Sequence, residues 1–150
     1  FGGLYSTIVA EIARTLVLYS GLTVLPDAPE AYAAHPELFS FITAQKQPWQ
    51  QSRTLQGEFG KWITTMRQAV DGNFLVATAT DEEGREGRVS LEFLPEGRFE
   101  ATIFEDAEDA HYRTNRVAYR IRKKVVMSGD SIRAAVAPGG GHARLLRSLP

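Results

Sequence analysis

Tyr119-Arg120-Ile121-Arg122-Lys123-Lys124-Val125 places Tyr119, Ile121, Lys123 and Val125 on one side and Arg120, Arg122 and Lys124 on the other. An extended backbone points alternate side chains to opposite faces, so this run predicts a half-buried strand. The same beat recurs upstream. Val89, Leu91 and Phe93 alternate with Arg88, Ser90 and Glu92, and Phe99, Ala101 and Ile103 alternate with Glu100 and Thr102. Residues 62–67, 74–80 and 132–136 are further strands, and Leu145 and Leu146 read the same way. Turn signals separate them: Asp71-Gly72-Asn73, residues 81–84, Pro95-Glu96-Gly97, Ser128-Gly129-Asp130 and residues 138–141. Short strands with such turns between them predict a mainly β chain, an antiparallel β-sandwich or barrel.

Before residue 48 the period is helical. Leu4, Ile8, Ile12 and Leu16 recur every four residues, with Tyr5, Val9, Ala13 and Val17 beside them. Two adjacent rows make one broad apolar helical face over residues 3–20, with Gly21 at the expected C-cap. Glu11 and Arg14 near its middle argue against a membrane span. Asp27 and Glu30 have capping-box spacing with Pro29 in the first turn, and Pro36 opens a second short helix carrying Leu38, Phe39, Phe41 and Ile42. These helices cannot enclose a core between them. The apolar face of the first must meet either the β part or a partner outside these residues.

The 150 residues suit one ordinary domain, or one small domain plus an appendage. With 17 basic and 18 acidic side chains, the chain has no general electrostatic grip on nucleic acid or an anionic membrane. The absence of cysteine excludes a disulfide scaffold, a thiolate metal site and a cysteine nucleophile.

No motif here carries catalysis. Gly139-Gly140-Gly141 lacks the Lys-Ser or Lys-Thr pair of a phosphate loop, and reads as a tight turn where backbone passes close to another strand. The acidic run over residues 105–111 lacks the central glycine of a calcium loop and reads as solvated, so no metal site is expected. His35, His111 and His142 have no zinc-like spacing and read as caps or surface residues. Arg116, Arg120, Arg122, Lys123 and Lys124 read as a solvated basic stripe. Trp49 and Trp62 are candidates for stacking on sugar rings, although aromatics in a sandwich more often belong to the core.

A series of local patterns nonetheless resembles a known family. Leu25-Pro26-Asp27-Ala28-Pro29-Glu30-Ala31-Tyr32, Phe41, Pro48-Trp49 and Gly57-Glu58-Phe59-Gly60-Lys61-Trp62-Ile63 come in the order found at the C-terminal end of glycoside hydrolase family 97. Asp106-Ala107-Glu108-Asp109-Ala110-His111, Asn115 eight residues before Lys123, and Ala137-Pro138-Gly139-Gly140-Gly141 continue it. In place of acidic residues after Trp49 stand Gln50 and Gln51.

The resemblance implies α-glucosidase or α-galactosidase relatives with a (β/α)8 catalytic barrel, often calcium-dependent, and a C-terminal oligomerisation β-domain. Residues 1–48 would be the helical end of the barrel and its connection, and residues 49–150 the β-sandwich domain. The helix face would then pack on barrel strands, and Phe1 in place of Met would mark a cut end. Catalytic carboxylates and any calcium ligands would lie upstream, leaving this chain inactive alone. Its partners would be the barrel, a second copy, and carbohydrate only through the longer enzyme, in the periplasm or outside the cell. The alternative is a free-standing carbohydrate-binding β-sandwich, which needs an exposed aromatic platform.

Overall fold

The computed structural model describes residues 5–20 and 29–150, the side chains at positions 31 and 32 excepted. Three helices come first: α1 (Ile8–Val17), α2 (Pro29–Ala33) and α3 (Pro36–Thr43). Eight strands follow: β1 (Gln51–Glu58), β2 (Trp62–Gln68), β3 (Phe74–Thr80), β4 (Arg85–Ser90), β5 (Arg98–Asp106), β6 (Tyr119–Met127), β7 (Ser131–Val136) and β8 (Gly141–Ser148). The chain is mainly antiparallel β. Six strands form one sheet in the order β1-β2-β3-β8-β5-β6, and β4 pairs with β7 in a second.

The larger sheet is covered on both faces. On one lie α1 and α3, whose Ile8, Val9, Ile12, Ala13, Leu16, Leu38 and Phe41 pack with Leu75, Ala77, Phe104, Ala143 and Leu145. On the other lies the β4–β7 pair, whose Val89, Ile132 and Ala134 pack with Met66, Phe74, Val76, Ile103 and Leu146. Strand β8 serves both, with Ala143 and Leu145 toward the helices and Leu146 toward the small sheet. Burying a large aliphatic side chain stabilises by about 1.5–3 kcal/mol. The six buried residues of α1 therefore hold a ten-residue helix that would be marginal in water.

This packing corrects one expectation. The apolar face of α1 does not wait for barrel strands, because β3 and β8 of this chain close it. The helix also ends early, at Val17, with Leu18 as an extended C-cap. Leu4, Gly21 and Asp27 lie outside the described residues.

The strand readings hold with two differences. Strand β4 starts at Arg85 and stops at Ser90, so Leu91 and Phe93 leave the ladder while keeping their apolar contacts. Strand β1 carries no alternating pattern because it is an edge strand, exposed over most of its length.

Candidate functional site: a polar belt and a cleft between the sheets

The face of the large sheet toward β4 and β7 is not wholly apolar. Strand register aligns Thr64 with Thr78, Thr78 with His142, His142 with Glu105, and Glu105 with Arg120. This row crosses five strands. The next row aligns Met66, Val76, Arg144, Ile103 and Arg122. Buried polar groups need partners. Thr64 and Thr78 supply one another, with hydroxyl oxygens 2.8 Å apart.

Glu105 is the centre of charge in the belt. Only 3% of it is exposed, yet Arg120 Nε donates to its Oε1 at 2.6 Å and Arg122 Nε at 2.8 Å. Burial works to raise its pKa, but His142, Arg122 and Arg120 outweigh that and hold the carboxyl well below the usual range. His142 Nε2 lies 3.3 Å from Glu105 Oε2 without hydrogen-bond alignment. Burial, with Arg144 beside it, pushes the imidazole down to about 3 despite Glu105. His142 is thus neutral at pH 7, and the contact is a dipole on a carboxylate rather than an ion pair. Arg144 is fully buried, and its three guanidinium nitrogens have no hydrogen-bond partner among the described residues. Burial lowers its pKa to about 9.

The opposite face organises the ends of α1. Asp106 follows Glu105 in β5 and so points the other way. Its Oδ2 accepts from Ala137 N at 3.0 Å and Gly141 N at 2.9 Å. Burial raises its pKa, opposed by the Thr7 hydroxyl and those two amides. Thr7 caps α1 by accepting from Ala10 N, and its own N–H donates to Gly139 O at 3.0 Å. The glycines allow this junction. Gly139 has φ +63°, a Cβ on Gly140 would strike Asp106 Oδ2, and one on Gly141 would lie 2.6 Å from Ala10 Cα. At the other end, buried Arg67 donates from Nε to Leu16 O at 2.8 Å and from Nη2 to Val17 O at 3.2 Å. A cation there satisfies carbonyls that the last helical turn leaves unpaired.

Between the sheets, beside the Thr64–Thr78 pair, opens a cleft of about 400 Å³. Trp62, Thr64 and Thr78 form one wall, and Gly87, Ala134 and Val136 the other.

The residues singled out from sequence separate here. Trp62 borders the cleft, whereas Trp49 packs against the helix-side core with its ring 5.8 Å from the Arg67 guanidinium carbon. The two share no platform, because they belong to opposite faces of the large sheet. Gly139, Gly140 and Gly141 make close approaches, but to the Tyr112 side chain, to Asp106 and to the backbone of α1 rather than to another strand. The acidic run is not a solvated loop throughout, since Glu105 and Asp106 are buried strand residues. His142 is not a surface residue but sits at the centre of the sheet. Arg120 and Arg122 are drawn to Glu105, so the basic stripe is partly an ion-pair network. Sequence reading missed Arg67 and Arg144. Their strands place them beside apolar neighbours, the one signal that marked them as buried.

Comparison with known proteins now decides the family. The model of the C-terminal, oligomerisation region of glycosyl hydrolase 97 matches residues 48–147. The chain belongs to glycoside hydrolase family 97. It is 32% identical over 133 residues to a retaining α-galactosidase of Bacteroides thetaiotaomicron, covering 89% of this chain and 20% of that protein. A family 97 enzyme from Pseudoalteromonas sp. strain K8, solved with acarbose, superposes with a TM-score of 0.93 at 32% identity over 97% of this chain and 23% of that one. A β-arabinopyranosidase shares the fold alone, with a TM-score of 0.74 at 18% identity over 93% of this chain and 21% of the other. The chain spans about a fifth of the length of these family 97 relatives. It is the C-terminal β-region of the family, a reading the match favours over a free-standing carbohydrate-binding module.

Proposed function

We propose that this chain closes the C-terminal side of an α-glycosidase acting on α-galactosides or α-glucosides, bracing the catalytic barrel and contributing contacts between subunits. Residues 1–48 are assigned as the helical end of the barrel and its connection, with α1 laid along the sheet, and residues 49–150 as the β-domain. The observation that carries this is the environment of α1. Its inner face and both its ends are tied to the sheet, while Tyr5, Leu18 and Tyr19 around those ends are 82%, 70% and 74% exposed. Large apolar groups left outward on a pinned helix mark the surface we assign to the barrel.

The carboxylates support a non-catalytic role. A glycosidase needs two of them facing one bond. Glu105 and Asp106 point to opposite faces, the first held by arginines and the second by backbone amides. The same commitments leave neither open to calcium, and no group of three or more potential ligands is found among the described residues. Calcium does not fit these residues, and we assign any calcium of the longer enzyme to residues outside them. By the same likeness we assign the enzyme to the periplasm or the exterior of the cell.

Two measurements test the reading. The purified chain should release no nitrophenol from nitrophenyl α-galactoside or α-glucoside, and light scattering should give a mass above the 16.6 kDa monomer. Turnover that disappears in Glu105→Gln or Asp106→Asn overturns the non-catalytic assignment. A strict monomer overturns the subunit contact.

A further inference from the structure

The cleft beside Trp62 has the size and lining of a small-molecule site, and its volume of about 400 Å³ lies in the range such sites occupy. Two of the three charged side chains that line it are already paired with countercharges. Arg85 clamps Asp81, with Nη1 to Oδ1 at 2.5 Å and Nη2 to Oδ2 at 3.1 Å. Glu86 is paired with Arg133 through two contacts of 2.6 Å, and Arg88 donates to Ser131 Oγ at 3.0 Å. A charged ligand at Arg85 or Glu86 would have to compete with these carboxylate and guanidinium partners, whereas the exposed Arg88 is held by a neutral hydroxyl alone.

Apart from Arg88, what remains for a ligand is neutral. The indole N–H of Trp62 has no hydrogen-bond partner among the described residues, and its half-buried ring borders the cleft. The Thr78 hydroxyl is part of the wall, 2.8 Å from that of Thr64, which is fully buried. Gln56 stands at the margin, its amide nitrogen donating to Arg88 O at 3.2 Å. On the opposite wall, Gly87 leaves room. It aligns with inward-facing Ala134, and a Cβ built there meets no atom within 4 Å.

An aromatic wall, a threonine hydroxyl, one amide and a rim whose charges are mostly paired match a ring with an apolar face and hydroxyl edges. We propose that this cleft binds a neutral, hydroxyl-bearing saturated ring of monosaccharide size, its apolar face on Trp62 and a hydroxyl on Thr78. The site is read from the cleft alone and stands whichever substrate the longer enzyme takes.

The chain has two tryptophans, so Trp49→Phe leaves Trp62 as the only indole. Its fluorescence, with calorimetry alongside, would be followed during titration with methyl α-glucopyranoside, methyl α-galactopyranoside and maltotriose. Saturable binding is expected with at least one of them, weakened about tenfold or more in Thr78→Val and in Gly87→Leu. Gly87→Leu fills the cleft from a strand position with open space, and an unchanged melting temperature would show that its fold is intact. Galacturonate, a similar ring with a negative charge, should bind more weakly than the neutral sugars. The proposal is overturned by no saturable signal with any of the three sugars, by unchanged affinity in a folded Gly87→Leu, or by galacturonate binding tightest.

Discussion

The two faces of the large sheet solve burial in opposite ways. Toward the helices, polar groups are few and tied to backbone: Asp106 accepts amides of the glycine turn, and Arg67 caps the carbonyls of α1. Toward the small sheet, polar and charged side chains answer one another across strands, with Glu105 among Arg120, Arg122, neutral His142 and Arg144, whose guanidinium has no hydrogen-bond partner among the described residues. A face built on close backbone approach should fail sharply when atoms are added. A face built on charge should fail when a charge is removed or the pH changes.

The sharpest break is expected at Gly141. Its added Cβ in Gly141→Ala would lie 2.6 Å from Ala10 Cα and 2.8 Å from Ala10 N, both backbone of α1. Backbone cannot swing aside like a side chain end, so the helix must lift, at a cost of about 3 kcal/mol or more. Gly129→Ala is the control. It has φ +88° but nothing within 4 Å, and should cost only about 1 kcal/mol for the left-handed conformation. Denaturant melts measure both, and hydrogen exchange should show early loss of α1 in Gly141→Ala alone. Equal losses in the two variants would mean that the close approach does not hold the helix.

This contrast also separates what was legible in the sequence from what was not. Strands such as β3 and β5 were readable because their alternation reflects a local cause, one face buried and one less so. The glycine run was readable as a close approach, since only a missing Cβ explains three glycines at a turn without phosphate-loop partners. What the glycines approach was not readable, because Ala10 lies 131 residues from Gly141 in sequence (141 − 10). The helix was readable as amphipathic, but its partner was misassigned for the same reason: periodicity shows that a face is buried, not against what. His142 and Glu105 looked like surface groups because charge alone suggests exposure. Their burial follows from β8 lying between β3 and β5, which is a property of topology.

The second break is Glu105→Gln. The isosteric amide keeps shape while removing the negative charge that Arg120, Arg122 and His142 surround. Arg120 and Arg122 are 52% and 40% exposed and can turn to water, which softens the loss. Arg144 cannot, and a buried cation without its countercharge is costly. A loss of about 2–3 kcal/mol in urea melts is expected, smaller than at Gly141. Pairing the change with Arg144→Met should recover part of it, because the stranded cation is then gone. No recovery would show that Arg144 does not draw on the Glu105 charge.

The smallest effect is a pH dependence centred on His142. Its pKa lies at about 3 in the fold against 6.5 for the ordinary group, so between those values the unfolded chain binds a proton that the folded chain refuses. Stability must therefore fall as pH drops below 6.5, with a slope of at most about 1.4 kcal/mol per pH unit. From pH 6.5 to 5 that amounts to about 2 kcal/mol at most. Glu105 adds to the loss only below its ordinary 4.5, since its depressed pKa keeps its contribution intact above that. Asp106 acts in the opposite sense, because its raised pKa favours the folded state where it is protonated. Urea melts at pH 7.5 and pH 5 should then differ in the native chain, and His142→Gln should flatten the difference. A slope unchanged in His142→Gln would place the acid sensitivity outside the belt.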